Sequence, residues 1–504
     1  MKINIFNKRI VLSLTLVLTL FISNSCEDFL DVNTDPDAAI ADQASPDLLF
    51  APVIAKISAN RMSDGGFFVG LWTQQFNQNG SSGLFRGIER YSQFQVIVQN
   101  LWNVGYEDGL KNLRFAQLSA ENSTPVRPNA AAQAKLMTAW TYYYLTVFFG
   151  DIPLTEALNG VENQAPKADT QEEVFNSIVS IIDDALAQID LNNPAPPITN
   201  GDYFYGGNME QWIKFGNSLK LKALMMLAGK DDAYQTQVAA LINSGVPMME
   251  IATDNAEAPF FDTANNENNL YKFAVTEVNG VPQSDTWYAD TNLLNIMEPN
   301  NDPRIRIYFQ PSRTATTDEI IGRTSGETGF DTEVSEMSLN ILRPDFPDRM
   351  LTAAETQLLI AEAYTRGYVT GAPDLENAEA AFKQAINASF DFWNANVTYD
   401  PSVAVTDEAR AEFIDQAAFD LSSLTSEQAL EKIYEEHFVS NMLRGSENWT
   451  QVRRVDFPQI TAPAQALFGV MPERYLYPNE ETSSNPNITN AFGRTDPLWF
   501  KENQ

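Results

Sequence analysis

Two of the side chains most used in protein chemistry are nearly missing here. The 504 residues include one cysteine, Cys26, and one histidine, His437. A lone cysteine cannot close an internal disulfide, and together the two cannot assemble a His/Cys metal cluster. A Ser-His-Asp triad would have only His437 to draw on. That residue lies in the stripe Leu430, Ile433, Tyr434, His437, Phe438, whose helical spacing places it in a core or an interface. Positive charge is also scarce: 33 Lys and Arg against 66 Asp and Glu leave a net charge of −33. The acids are dispersed, as on a solvated surface, and so acidic a chain repels nucleic acid and anionic polymers. Only one long apolar run exists, at residues 10–22. It falls short of the roughly 20 residues that span a bilayer.

That run follows Lys2, Lys8 and Arg9 and precedes Ser23, Asn24, Ser25 and Cys26. A basic start, a short apolar stretch and small residues before a junction read as a secretory signal over residues 1–25. Cys26 at the junction resembles the lipid-carrying first residue of a bacterial lipoprotein, with Ser23 and Ser25 where Leu and a small Gly or Ala are usual. Removing the signal removes three positive charges, so the remaining chain carries −33 − 3 = −36. Residues 26–45, acidic and turn-rich, read as a tether, and residues 46–504 as a single domain. With 44% hydrophobic and 11% aromatic residues the chain can bury a substantial core.

Periodicity predicts a mainly α-helical protein. Helices are expected at 46–62, 70–78, 88–99 and 103–121, with a glycine-serine loop at 77–87. Asn129 is placed to cap a helix carrying Leu136, Trp140, Tyr144 and Phe148 on one face, ended by Gly150 and Pro153. Thr170 with Glu173, and Thr425 with Gln428, form capping boxes. Residues 192–208 are loop and 209–228 helix. Residues 245–350 lose helical period and read as an irregular insertion with a few short strands and one helix near 292–297. Helices resume at 351–365 and 375–392. There Ala361, Ala363, Ala378, Ala381 and Ala385 suit the close crossings of tetratricopeptide-like helix pairs. The expected architecture is a scaffold of such pairs from which long loops emerge.

Several stretches, in order along the chain, resemble the SusD/RagB family of outer-membrane nutrient-binding lipoproteins, and more narrowly its SusD-like branch. They are residues 26–36 (CEDFLDVNTDP), 139–154 (AWTYYYLTVFFGDIPL), 200–207 (NGDYFYGG) and 212–220 (WIKFGNSLK). Asp302-Pro303-Arg304, residues 449–454 (WTQVRR) with Phe457 and Pro458, and residues 472–478 (PERYLYP) with Glu481 complete the set. The resemblance implies four tetratricopeptide-like units and a partner, a SusC-like TonB-dependent transporter, over which the protein closes as a lid. It implies capture of an oligosaccharide, or in some members a peptide, without catalysis and without a cofactor. Glu27, Asp28 and Asp31 after the cysteine also resemble the surface-export signal of Bacteroidota lipoproteins, so the implied location is the outer membrane, lipid-anchored and facing outward. A helical-repeat scaffold that binds only protein partners is the competing reading. A glycosidase would need two carboxylates roughly 5–10 Å apart, and nothing in the sequence marks out a pair.

Sugars stack their C–H faces on aromatic rings and offer their hydroxyls to amides and charged groups. Aromatics in loops flanked by amides are therefore the candidates, and a neutral glucan suits the acidic surface. Trp287 and Tyr288, inside the irregular insertion, come first. Trp72, on a predicted helix, leads toward the loop that carries Phe85 and Arg86. Asn268 and Tyr271 belong to an amide-rich loop with Asn265, Asn266 and Asn269. Tyr203 and Tyr205 are expected to be structural, the aromatics of 140–149 to be core, and Arg453 and Arg454 to hydrogen-bond internal carboxylates.

Overall fold

Helical period and capping chemistry set most of the architecture of the computed structural model, which describes residues 44–78, 83–278, 281–284, 286–312, 314–327 and 333–501. The predicted signal, Cys26 and all of the tether but its last two residues lie outside these. Helix α1 (Pro46–Arg61) starts at Ser45, whose side chain accepts from the Leu48 N–H. Then come α2 (Gly83–Glu89), α3 (Gln95–Asn103), a wider π-helical turn (Val104–Leu110) and α4 (Lys111–Asn122). The long α5 (Pro128–Phe149) is buried nearly all round. Next are α6 (Gln171–Gln188), α7 (Met209–Ala228) and α8 (Asp232–Asn243). Consecutive members of α4 to α8 pack on one another as helix hairpins. Both predicted capping boxes form, at Thr170 and Thr425.

Four expectations are corrected. Residues 70–78 do not form a helix: Gln74 takes a left-handed φ of 56°, which breaks the turn, and residues 76–78 become strand β1 (Phe76–Gln78). The predicted 77–87 loop is shorter than read, because Phe85 and Arg86 lie in α2. Tyr91, with φ of 68°, separates α2 from α3 inside the region predicted as one helix. Asn129 lies within the first turn of α5, where it exchanges two hydrogen bonds with the Asp190 backbone at 2.8 and 2.9 Å instead of capping.

The irregular region holds β2 (Ala256–Ala258), α9 (Asn269–Ala274), the hairpin β3 (Val275–Val278) and β4 (Val281–Ser284), β5 (Trp287–Ala289), α10 (Thr291–Met297), α11 (Ile305–Tyr308), β6 (Phe309–Gln310), β7 (Glu336–Met337) and β8 (Asp348–Leu351). Strand β1 joins it across more than 200 residues of sequence, giving the order β1-β5-β7-β6 with Asn77 opposite Tyr288. Strands β2 and β8 make an antiparallel ribbon. Helices α12 (Ala353–Thr365) and α13 (Leu375–Ala395) pack as the predicted pair, with Ala361, Ala363, Ala378 and Ala385 fully buried at the crossing. Helices α14 (Asp407–Ile414), α15 (Ser426–Ser440), α16 (Gly445–Val455) and α17 (Asn479–Ser484) follow, and residues 45–504 form one compact unit.

A buried charge network joins the helical part to the irregular part. Arg61 on α1 reaches Asp348 of β8 and Glu447 of α16, both at 3.0 Å. Lys222 of α7 meets Glu355 of α12 at 2.8 Å, and Arg444 meets the same carboxylate at 2.9 Å. Three cations thus face three carboxylates with all six side chains at most 6% exposed. Arg304 is paired likewise, with Asp302 and Glu436, each at 2.6 Å. Arg454 donates to Glu362 at 2.9 Å, as expected for an internal pair. Arg453 departs from expectation: it bonds the Trp449 and Glu473 carbonyls at 2.9 and 2.7 Å and lies 3.4 Å from the Trp449 ring centre. His437 is core, 4% exposed, and burial pulls its imidazole down to about 4.

Burial alone would raise the Glu355 carboxyl, but Arg444 and Lys222 overcome it and hold it at about 2. Arg454 and Arg366 do the same for Glu362, also at about 2. A carboxylate depressed on folding stabilises above its ordinary value of 4.5 and loses that contribution as pH falls through about 2. Acid titration of the helical circular dichroism should therefore show steepening loss below pH 4.5. Glu447→Ala strands buried cations and should cost about 3–5 kcal/mol, read by chemical denaturation. A stability within about 0.5 kcal/mol of wild type would show that the network does not hold the two parts together.

Candidate functional site

The structure withdraws the first-choice aromatics from the surface. Strand β5 points Trp287 into the core, where it is 0% exposed. Its ring packs edge-on against Phe67 at 5.0 Å and Phe76 at 5.6 Å, and Phe85 closes over it at 4.6 Å. Tyr288 is 4% exposed. Beside them Asp290 caps α10 and accepts from Asn77 and Ser325 at 3.0 and 2.8 Å; burial pushes its carboxyl up to about 7. Trp72 belongs to a second buried cluster, donating to the Ile88 carbonyl at 2.8 Å and packing on Trp449. Phe85 and Arg86 are half-buried on α2. Trp287, Tyr288 and Trp72 therefore keep no open face for a sugar. The inner place of β5 explains the error: paired on both edges and covered on both faces, it buries Trp287 and Tyr288 although they point to opposite sides. Trp287→Ala should therefore act as a core truncation, costing about 3–5 kcal/mol, with thermal denaturation as the readout. An unshifted melting temperature would contradict the burial.

The amide-rich loop fares differently. Asn268 is buried and structural: it caps α9 through the Leu270 N–H and donates to the Phe346 carbonyl, both at 2.7 Å. Tyr271 is half-buried on α9. Asn265, Asn266 and Asn269, however, line a cleft of about 180 Å³. Its floor is α1, where Ala55, Ser58 and Ala59 share one helical face. Tyr203 forms one wall and Phe261 another, and they are 41% and 50% exposed. Both are unusual in a chain whose other large aromatics are mostly buried. The Ser58 hydroxyl is buried at the floor and has no hydrogen-bond partner. Such an orphan is disfavoured unless something else satisfies it. Lys272, the only cation in the lining, is already paired with Glu267 at 3.1 Å.

Local chemistry fixes these walls. The Asp202 carboxylate accepts the backbone N–H groups of Phe204, Tyr205 and Gly207 and the Trp212 indole N–H at 2.7 to 3.1 Å, winding residues 202–207 around itself. Gly201 lets this loop touch α1, since a Cβ there would lie 2.4 Å from the Asp47 carbonyl. The Phe261 turn is closed by its own bonds, Phe261 N–H to the Asn266 carbonyl at 2.9 Å and Asn266 N–H to the Thr263 carbonyl at 2.9 Å. Asn265 holds the left-handed corner at φ 73°. Asn269 is tied to α1 through the Ala59 carbonyl at 2.9 Å. Sequence reading found the asparagines but missed Ser58 and Phe261 and assigned Tyr203 to the framework. The available signal was the pair Phe260-Phe261 after Pro259, an aromatic pair in a turn-rich stretch. Tyr205 does serve the framework, bonding the Asp254 carbonyl at 2.9 Å.

A second, wider groove of about 590 Å³ lies between the end of α13 and the segment leading into β2, with Phe204, Ile251, Glu257 and Phe392 in its lining. Among the described residues there is no group of three or more His, Cys, Asp or Glu placed to hold a metal ion.

The whole molecule has solved counterparts. A protein named as chitin-binding matches with a TM-score of 0.76 at 20% identity, over 91% of this chain and 100% of its own. A Bacteroidetes SusD-like protein gives 0.76 at 22%, over 91% and 100%. A SusD homologue from Bacteroides fragilis gives 0.73 at 23%, over 92% and 100%. At these identities the likeness is one of fold. No curated protein matches the sequence. The family profile described as "Starch-binding associating with outer membrane" matches residues 37–478, and the chain therefore belongs to the SusD-like family.

Proposed function

We propose that this protein is a lipid-anchored glycan-binding protein of the outer cell surface. It captures an oligosaccharide or polysaccharide, without altering it, for a SusC-like TonB-dependent transporter. The observation that carries the binding reading is the Tyr203–Phe261 cleft, in which two exposed rings flank a buried hydroxyl that lacks a partner. Rings offer the stacking face that sugar C–H groups prefer. Asn265 and Asn266 at the rim supply donors and acceptors for hydroxyls. The internally paired Lys272 and Glu267 favour a neutral ligand over a charged one.

Two further points support the biological setting. The family description couples starch binding to the outer membrane, and one structural counterpart is named for chitin binding. The basic start, the apolar run and Cys26 supply the signal and the lipid attachment point, and the acids at Glu27, Asp28 and Asp31 direct the anchor outward. Residues 26–45 act as the tether.

A polysaccharide panel resolved by affinity electrophoresis tests the reading. Tyr203→Ala and Phe261→Ala should each weaken binding of the retained glycan about 10-fold, or 1.4 kcal/mol. Their melting temperatures should stay near wild type because both rings are exposed. Retention unchanged in both variants would move the site elsewhere.

A further inference from the structure

The wider groove has the features of a ligand site in its own right. Its volume of about 590 Å³ falls within the roughly 300–1,000 Å³ typical of small-molecule sites. Phe204, Ile251 and Phe392 give it apolar walls, Asn255 and Asn396 contribute amides, and its only ionisable lining groups are Glu257 and Asp391. It is separate from the Tyr203–Phe261 cleft, because neighbouring residues divide between the two: Tyr203 and Ala258 line one, Phe204 and Glu257 the other.

The charges in the groove are unevenly matched. Asp391 is paired with Arg410 at 2.7 Å. Glu257 accepts only a neutral hydrogen bond, from the Asn255 amide at 2.9 Å. Its cross-strand neighbour is Arg349, but that guanidinium is spent elsewhere. It bonds the Ser440 and Met442 carbonyls and lies 4.3 Å from the Phe392 ring centre, behind the groove wall. No lysine or arginine lines the groove among the described residues. Burial raises the Glu257 carboxyl above its usual range, outweighing the hydrogen bond from Asn255 and the attraction of Arg349. The chain's net charge of −33 further favours a cation.

We propose that this groove is a second ligand site, for a sugar ring that carries a protonated amine. The ammonium group donates to the Glu257 carboxylate and forms a direct ion pair with it. The C–H face of the ring lies on the Phe204 and Ile251 side of the groove. A neutral or N-acetylated ring gains the apolar contact but not the ion pair, so the groove discriminates by the amine. The proposal assumes a carbohydrate ligand, as the first cleft does, but uses different residues.

The test is calorimetric titration of the full chain with a glucosamine oligomer and with its fully N-acetylated counterpart of equal length. The free-amine oligomer should bind at least 10-fold more tightly. Glu257→Gln should abolish that preference. Thr253→Trp, at an exposed position of the groove, should block binding of the amine oligomer by filling the space. Tyr203→Ala should leave the preference intact, so a failure of the first cleft is read separately. Equal affinity for the two oligomers, no binding of the amine, or a preference that survives both groove variants would overturn the proposal. A lysine-bearing peptide that binds through Glu257 where the amino sugar does not would also overturn it.

Discussion

Glu447 is the residue on which the two halves of this fold converge. Its carboxylate lies 3.0 Å from Arg61, 3.7 Å from Arg444 and 3.9 Å from Lys222. Those three cations come from α1, the α15–α16 turn and α7, and they also engage Asp348 on β8 and Glu355 on α12. Paired buried charges are weak evidence for net stability, because desolvation offsets much of their attraction. Their effect is on geometry: each of the three carboxylates must find its cations, which permits one arrangement of helices and ribbon. The apolar contacts around them, such as the Arg61 guanidinium 5.3 Å from the Trp140 ring centre, exclude the water that would otherwise screen the network.

The two proposed binding surfaces rest on that frame. Strand β2, paired with β8, separates the two cavities, and β8 carries the Asp348 that Arg61 holds. The loop of Tyr203 and Phe204 is wound around one carboxylate, Asp202, and seated against α1 by a glycine. Each surface takes one side from a long helix, the cleft from α1 and the groove from the end of α13. Both depend on short polar turns whose backbone groups are satisfied locally. The solved relatives, with about a fifth of positions identical, keep the fold over nine-tenths of this chain.

Legibility in the sequence followed the range of the interactions. Helices with one apolar face, such as α6 and α13, and caps at Thr170 and Thr425 were readable because their causes lie within one turn. The region of 245–350 was recognisable as irregular, yet its strand β5 pairs with β1, more than 200 residues away, and no local pattern announces that. The same distance explains the misplaced tryptophans. Trp287 and Trp72 are closed over by partners from remote segments, whereas Asn265, Asn266 and Tyr203 are exposed by turns whose residues are adjacent. Ser58 gave no signal at all, since a serine on a helix becomes informative only once its hydroxyl is seen without a partner.

Helix α1 carries both functions within one turn. Ser58 forms the floor of the cleft, and Arg61, three residues on, anchors the buried network. A helix cannot turn one of these side chains without turning the other. The floor of the cleft is thus fixed with the most constrained part of the molecule, while Phe261 and its asparagines stand on a turn that closes on itself. Change can accumulate on that upper rim, altering what the proposed cleft admits, without disturbing the base. Diversification of ligand choice in such a scaffold should therefore be lopsided, free at the lip and frozen at the floor.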